Sequence, residues 1–190
     1  MTSVRILWLL LCLLWIGAEI KLARKNQIDY SNSSDSEEIS QWVLWITVVT
    51  SLVLAVIFKT LGWAPIPIEY LPRQLFALLM FANGLFLRYS AVSRLGRFFT
   101  TNVLIQSQHE LIVDGPYRWV RHPAYTGLLI ALAAAGLAMG DIIAMLLLTV
   151  PTFFAFKFRI VIEEKLLNKK FGEAYRDYIR TTWKLLPWLF

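Results

Sequence analysis

The fold is decided by residues 123–158, which read PAYTGLLIALAAAGLAMGDIIAMLLLTVPTFFAFKF. This stretch contains two apolar runs, Pro123–Met139 and Asp141–Phe158, which meet at Gly140. Each run is close to the roughly 17–25 residues that a helix needs to cross a bilayer. Because the joint is so short, the stretch predicts an antiparallel pair of membrane helices. The small Gly and Ala residues of the first run favour close packing against neighbouring helices.

The composition places the whole chain among membrane proteins. Its 190 residues are 57% hydrophobic and only 17% charged, whereas about a quarter of a soluble domain is charged. The net charge of +6 lies outside the apolar blocks, which argues against nucleic-acid binding. The single cysteine, Cys12, excludes an intrachain disulfide and a multi-cysteine metal site. A chain of this length is expected to form one compact membrane domain.

Three further apolar runs precede this pair: Val4–Ile20, Trp42–Leu61 and about Pro72–Leu87. The first run is either a signal peptide or a retained span. A retained span is favoured, because bulky Ile16 stands where a cleavage site after Ala18 would need a small residue. Residues 26–40 are polar and acidic and are interpreted as a linker. The chain is therefore predicted to be an all-α, polytopic membrane protein with about five transmembrane helices.

The basic residues predict which side of the membrane each connection faces. Segments 21–41, 88–122 and 157–190 hold three, five and eight of the nineteen Lys and Arg residues. Since Lys and Arg concentrate in cytoplasmic loops, these segments are assigned to the cytoplasm and the N-terminus to the outside. The C-terminal segment is then expected on the same side as the polar stretch before Pro123, where the two can meet.

That polar stretch is residues 109–127, HELIVDGPYRWVRHPAYTG. Asp114-Gly115-Pro116 predicts a turn, and Pro123 suits the first turn of a helix. A loop that ends at a helix N-terminus favours a carboxylate or phosphate ligand. Taken singly, its side chains are more typical of lipid anchors, interfacial aromatic residues and hydrogen-bonded loop histidines. The two histidines match no common zinc spacing, so no metal site is expected.

A second cluster of charge, Arg159-Ile-Val-Ile-Glu163-Glu164, follows the last apolar run directly. If the helix continues, Arg159 and Glu163 share one face, and an amphipathic cytoplasmic helix follows at the C-terminal end. Gly172 is a candidate end for the first of these helices. An intrahelical ion pair between Arg159 and either carboxylate is the alternative explanation of the pattern.

The two clusters form two blocks of a longer pattern. The first block is His109-x-Leu111-x-x-x-Gly115-x-Tyr117-x-x-x-Arg121-His122-Pro123-x-Tyr125-x-Gly127. The second is Arg159-x-x-x-Glu163-Glu164, with Phe171-Gly172-x-x-Tyr175-x-x-Tyr178 and a terminal Pro187 after it. Over roughly residues 95–190 the chain thus resembles the isoprenylcysteine carboxyl methyltransferase family. The resemblance implies transfer of a methyl group from S-adenosylmethionine to the carboxylate of a C-terminal prenylated cysteine.

The resemblance also implies a division of the chain and a set of site residues. Residues 1–90 would hold the N-terminal spans, and residues 91–190 the catalytic region. Arg159 and Glu163 would be the catalytic pair, with Arg159 holding the acceptor carboxylate. The implied cofactor contacts are Gln106, His109, Glu110, Leu111, Ile112, Tyr117, His122, Pro123, Ala124, Tyr125 and Glu163. The implied partners are membrane lipids and a lipid-like or prenylated acceptor that enters from the bilayer.

These residue types suit that reaction. A carboxylate acceptor needs no general base, but it needs a cation to orient it, and a guanidinium binds a carboxylate in a bidentate manner. Two other activities stay open: a phospholipid amine methyltransferase and an NADPH-dependent sterol-type reductase. The reductases carry a similar stretch, usually with Asn where this chain has Ala124. A non-catalytic membrane scaffold is a third alternative.

Overall fold

The computed structural model describes residues 2–25, 35–99 and 110–187. Over these ranges the chain is built of α-helices joined by short turns. The helices are α1 (Thr2–Lys25), α2 (Asp35–Leu61), α3 (Tyr70–Leu95), α4 (Pro123–Met139), α5 (Ile142–Phe171) and α6 (Glu173–Thr181). Short 3-10 turns lie at Gly96–Phe98 and Gly115–Arg118.

Four of these helices, α1, α2, α3 and α5, are long and apolar enough to cross a membrane. Helix α4 is also apolar but has 17 residues, which is the lower end of the roughly 17–25 that a span requires. The prediction of an all-α, polytopic membrane protein with a helical hairpin is thereby confirmed. The amphipathic C-terminal helix is α6, whose Tyr175 and Tyr178 are buried while its charged residues are exposed.

The hairpin of α4 and α5 turns at Gly140 and Asp141. Gly140 has a φ of +80°, a left-handed conformation that glycine adopts without steric cost. The buried carboxylate of Asp141 caps α5 by accepting a hydrogen bond of 3.0 Å from the N–H of Ala144. The same carboxylate accepts the N–H of Ala64 at 3.0 Å. Asp141 therefore fastens the hairpin to the loop between α2 and α3.

Helices α3 and α4 pack so closely that only glycine fits at the point of contact. A Cβ atom on Gly84 of α3 would lie 2.6 Å from the carbonyl oxygen of Gly127 and 2.8 Å from the backbone nitrogen of Ala131. A Cβ atom on Gly127 would in turn meet the backbone of Gly84 and Arg88. The small residues of α4 thus allow the close packing that the sequence predicted, and α4 is held between α3 and α5.

Helix α3 is longer than expected, and this corrects the position of Arg88. The sequence placed Arg88 in a loop after Leu87, but α3 continues to Leu95 and Arg88 is only 6% exposed. The carboxylate of Glu19 in α1 accepts hydrogen bonds of 2.6 Å from both Nε and Nη2 of Arg88. A paired charge is tolerated within an apolar helix, whereas an unpaired one is costly.

The start of α2 is a second correction. Helix α2 begins at Asp35, so residues 35–40 of the expected linker 26–40 are helical. The local sequence Asp-Ser-Glu-Glu supplies acidic residues to the first turn, where the helix dipole favours negative charge. Residues 26–34 lie outside the described ranges.

Helix α5 continues past the apolar run, as the sequence predicted. It runs from Ile142 to Phe171 and therefore carries Arg159 and Glu163 on one continuous helix. Gly172, with a φ of +55°, ends α5, and α6 begins at the next residue. The change of direction at Gly172 brings α6 back toward the N-terminal end of α4.

Candidate active site

The polar loop before α4 pairs with the segment that follows α6. We call residues 182–187 the C-terminal strap. Its backbone runs parallel to the loop, with a bridge between Val120 and Trp183. Arg121 and His122 donate their N–H groups to the carbonyl oxygens of Trp183 and Lys184 at 2.8 and 3.2 Å. Trp183 donates its own N–H to the carbonyl oxygen of Trp119 at 3.0 Å.

Side chains reinforce this pairing on both sides of the loop. The hydroxyl of Thr126 in α4 donates to the carbonyl oxygen of Leu185 at 2.6 Å, and Leu185 is fully buried. The hydroxyl of Tyr178 in α6 donates to the carbonyl oxygen of Tyr117 at 2.7 Å. The expectation that the polar stretch and the C-terminal segment meet is therefore confirmed.

Tyr125 lies at the centre of the site. Its hydroxyl donates to Oε2 of Glu163 at 3.0 Å and accepts from Nε of Arg159 at 3.0 Å. The tyrosine ring stacks on Phe156 with ring centroids 4.9 Å apart, which fixes the direction of the hydroxyl. One phenol thus connects a cation and an anion that the sequence placed one helical turn apart on α5.

Arg159 is buried, with 3% of its surface exposed. Besides Tyr125, it donates from Nη1 to the hydroxyl of Ser40 at 3.4 Å, and Ser40 is fully buried near the start of α2. Sequence reasoning missed Ser40, because it assigned residue 40 to the linker. No local pattern marks a lone serine as the neighbour of an arginine 119 positions away.

His122 joins the same cluster from the N-terminal end of α4. It is 4% exposed, with Nδ1 3.7 Å from Oε2 of Glu163 and Nε2 3.4 Å from Oε1 of Glu164. Its ring stacks on Tyr125 at a centroid distance of 5.8 Å. The structure therefore brings together four of the residues implied by the resemblance, namely His122, Tyr125, Arg159 and Glu163.

Glu164 also has its partners outside its own helix. Its Oε1 accepts from Nε of Arg121 at 3.0 Å, and its Oε2 lies 3.0 Å from Nζ of Lys184. Besides its place in the matching pattern, sequence reasoning offered Glu164 only an intrahelical ion pair with Arg159. The adjacent acidic pair was visible, but the cations that Glu164 binds come from segments far away in the sequence.

Comparisons with known proteins identify a family that this chain resembles. The model of the isoprenylcysteine carboxyl methyltransferase family matches residues 76–169, which include both acidic residues and the loop before α4. The chain is similar to this family over just under half of its length. A probable protein-S-isoprenylcysteine O-methyltransferase from Oryza sativa subsp. indica is 32% identical over 123 residues, covering 64% of each chain. The corresponding Schizosaccharomyces pombe enzyme is 34% identical over 97 residues, which is 50% of this chain and 41% of the yeast chain.

A solved structure of a family member supports the same fold. The eukaryotic intramembrane Ras methyltransferase of the family superimposes with a TM-score of 0.58 at 25% identity. The match covers 84% of this chain and 55% of that one. The chain therefore spans about two thirds or less of the length of these relatives. The comparisons favour the methyltransferase resemblance over the reductase alternative.

Other residues of the family pattern lie beside the charged cluster. Tyr117 and Ala124 are buried together against Ala91 of α3, and Ile112 packs on the same group. The hydroxyl of Tyr117 donates to the carbonyl oxygen of Ala91 at 3.4 Å. Burial raises the pKa of Tyr117 well above its usual range. These residues hold the loop against α3, and their contact with a cofactor stays a prediction.

The remaining cofactor contacts that the resemblance implies differ in their exposure to solvent. Pro123 is buried in the first turn of α4, Leu111 is half-buried and Glu110 is exposed. Gln106 and His109 lie outside the described residues. Their predicted roles rest on the resemblance alone.

Proposed function

We propose that this protein transfers a methyl group from S-adenosylmethionine to the carboxylate of a prenylated cysteine or a similar lipid-like acid. The observation that carries the proposal is the chain of hydrogen bonds from Arg159 through Tyr125 to Glu163. It holds Arg159, the cation proposed to bind the acceptor, next to Glu163, the anion proposed to bind the cofactor. The match to the family model and the names of the relatives support the proposal.

Arg159 is the residue that would bind the acceptor. A guanidinium is always charged and binds a carboxylate through two parallel hydrogen bonds. The Tyr125 hydroxyl accepts a hydrogen bond of 3.0 Å from Nε of Arg159 and thereby limits the orientations that the guanidinium group can adopt. Because Arg159 is buried, its attraction for an acceptor carboxylate is screened little by water.

The residues around Glu163 fit the polar end of the cofactor. The side chain of Glu163 is 28% exposed, so it can still accept hydrogen bonds from an ammonium group or ribose hydroxyls. Tyr175 of α6 is 1% exposed, and its hydroxyl has no hydrogen-bond partner among the described residues. Burial raises the pKa of Tyr175 well above its usual range, and Glu164 and Glu163 add to this shift. An unpaired, neutral hydroxyl beside two carboxylates fits a site that receives a further polar group.

When bound, S-adenosylmethionine would supply a sulfonium methyl group, which a carboxylate oxygen accepts without losing a proton, leaving S-adenosylhomocysteine. Glu163, His122 and the first turn of α4 would hold the cofactor, and Arg159 would align the acceptor. Alignment of this kind accounts for most of the rate of a simple displacement. We place this site on the cytoplasmic side, because the segments around it hold most of the Lys and Arg residues.

The proposal is tested by methyl transfer with the purified protein in lipid nanodiscs. The assay uses labelled S-adenosylmethionine and a small S-farnesyl-cysteine, and compares wild type with Glu163→Ala and Arg159→Ala. We expect each variant to lose activity on the order of 100-fold. Glu173→Gln is the control, because Glu173 is exposed on α6 and pairs with Arg176 only one turn away.

Two results would contradict the proposal. One is saturable binding of NADPH without binding of S-adenosylhomocysteine, which would favour the reductase. The other is full activity of Arg159→Ala on a phospholipid amine, which would identify an amine as the acceptor.

A further inference from the structure

Glu163 and Glu164 are adjacent in sequence but have different surroundings. Glu163 contacts Tyr125 and His122, and 28% of its side chain remains exposed. Glu164 is 16% exposed and is surrounded by two cations, Arg121 and Lys184, and by the ring of His122. The two carboxylates therefore face different environments, and only Glu163 keeps room for a ligand.

The partners of Glu164 come from two different segments of the chain. Arg121 and His122 belong to the loop that enters α4, whereas Lys184 belongs to the C-terminal strap. Glu164 itself projects from α5. One carboxylate thus connects three segments that are separate from one another in the sequence.

Arg121 extends this connection to the end of α6. Its Nη1 donates to the carbonyl oxygens of Thr182 and, at 3.2 Å, Ile179. The side chain of Arg121 is only 8% exposed, so loss of Glu164 would leave this guanidinium buried without its carboxylate. A buried charge that loses its partner either moves toward water or draws water in. Either response would separate the loop from the strap.

We propose that Glu164 is a positioning residue for the cofactor site, acting through Arg121, His122 and Lys184. It holds the strap against the loop and keeps the His122 ring in contact with Tyr125. Its contribution to cofactor affinity rests on the function proposed above, but its contribution to the position of the strap does not.

The experiment compares Glu164→Gln with Glu173→Gln in nanodiscs, using only the folded fraction of each preparation. Glutamine keeps the size of the side chain and removes the charge, and the control makes the same chemical change at an exposed site on α6. The first measurement is hydrogen–deuterium exchange at the amides of Arg121, His122 and Trp183 without ligand. The second is the dissociation constant for S-adenosylhomocysteine, together with kcat and the KM for S-adenosylmethionine.

We expect faster exchange at these three amides in Glu164→Gln and unchanged exchange in the control. The dissociation constant and KM should rise roughly tenfold, because a charge-assisted contact is lost, while kcat at saturating cofactor changes much less. Glu164→Asp, which keeps the charge, should recover part of the affinity. Lys184→Met should accelerate the same amides, and the double variant should fall short of the sum of both effects.

Wild-type exchange at these amides in Glu164→Gln would overturn the inference. So would faster exchange with an unchanged dissociation constant, because the strap would then have no influence on the cofactor. A wild-type protein that does not bind S-adenosylhomocysteine would reject the proposed function, and the cofactor role of Glu164 with it. In that case the exchange data would still show whether Glu164 holds the strap.

Discussion

The carboxylate of Glu19 binds the guanidinium of Arg88 through two hydrogen bonds of 2.6 Å, and this pair joins α1 to α3. The hydroxyl of Tyr89 donates to the same carboxylate at 3.2 Å, and Trp15 donates its ring N–H at 3.1 Å. Trp8 adds a further polar contact between α1 and α3, because its ring N–H donates to the side chain of Gln74. The first span is therefore held in a defined register by a few polar groups.

Glu19→Gln should destabilise the protein by about 3–5 kcal/mol, because it leaves the buried Arg88 without its counter-charge. Thermal unfolding in detergent measures this loss. Arg5→Gln on the same helix is the control, since Arg5 is exposed and a surface change of this kind stays within about 0.5 kcal/mol. Glu19→Gln combined with Arg88→Met should recover part of the lost stability. Equal stability of wild type and Glu19→Gln would show that the pair contributes nothing.

Tyr125→Phe should lower kcat/KM roughly 10- to 100-fold, because it removes the hydroxyl that connects Arg159 with Glu163. The ring still stacks on Phe156, so the free energy of unfolding should change little. Tyr89→Phe is the matched control, since it also removes a hydroxyl that donates to a carboxylate, but that carboxylate is Glu19 of α1. Wild-type kinetics for Tyr125→Phe would remove this hydroxyl from the proposed mechanism.

Gly84→Ala should destabilise the protein by about 1–3 kcal/mol or prevent folding, because its methyl group would overlap the backbone of α4. Gly17→Ala on α1 is the control, since a Cβ atom there meets nothing within 4 Å. In a helix that change should be neutral or stabilise by up to about 1 kcal/mol. The unfolding temperature should therefore fall for Gly84→Ala and stay the same or rise for Gly17→Ala. An unchanged unfolding temperature for Gly84→Ala would contradict the close contact of α3 with α4.

Ser40→Ala should raise the KM for the prenylated acceptor roughly threefold, because it removes one weak contact of Arg159. The affinity for S-adenosylhomocysteine should not change, since Ser40 contacts the acceptor side of the cluster. Ser51→Ala is the control, because Ser51 is also a buried serine on α2 but lies eleven positions further along the helix. A change in cofactor affinity without a change in acceptor KM would contradict this prediction, because Ser40 would then act on the cofactor and not on the acceptor.

The sequence could predict those parts of the fold that depend on neighbouring residues. The hairpin follows from two apolar runs that meet at Gly140, and the end of α5 follows from Gly172. The candidate site residues His122, Tyr125, Arg159 and Glu163 were predicted from a family pattern. Such a pattern carries information about tertiary contacts, which helix periodicity does not. The structure adds the contacts that bring these four together.

The errors concern pairs that are distant in sequence. Arg88 looked like a loop residue because a charge ends an apolar run, and Glu19, its partner, lies 69 positions away. Ser40 and Lys184 gave no signal for the same reason, since each gains its role only when another segment packs beside it. Helix periodicity is a local property, whereas the pairing of buried charges is decided by tertiary packing.

The C-terminal strap has a consequence for the biosynthesis of this protein. A chain is made from its N-terminus, so the loop before α4 is synthesised before residues 182–187. The hydrogen bonds of Arg121, His122 and Trp183 can form only after both segments exist. The candidate active site therefore stays incomplete until residues 182–187 have paired with the loop.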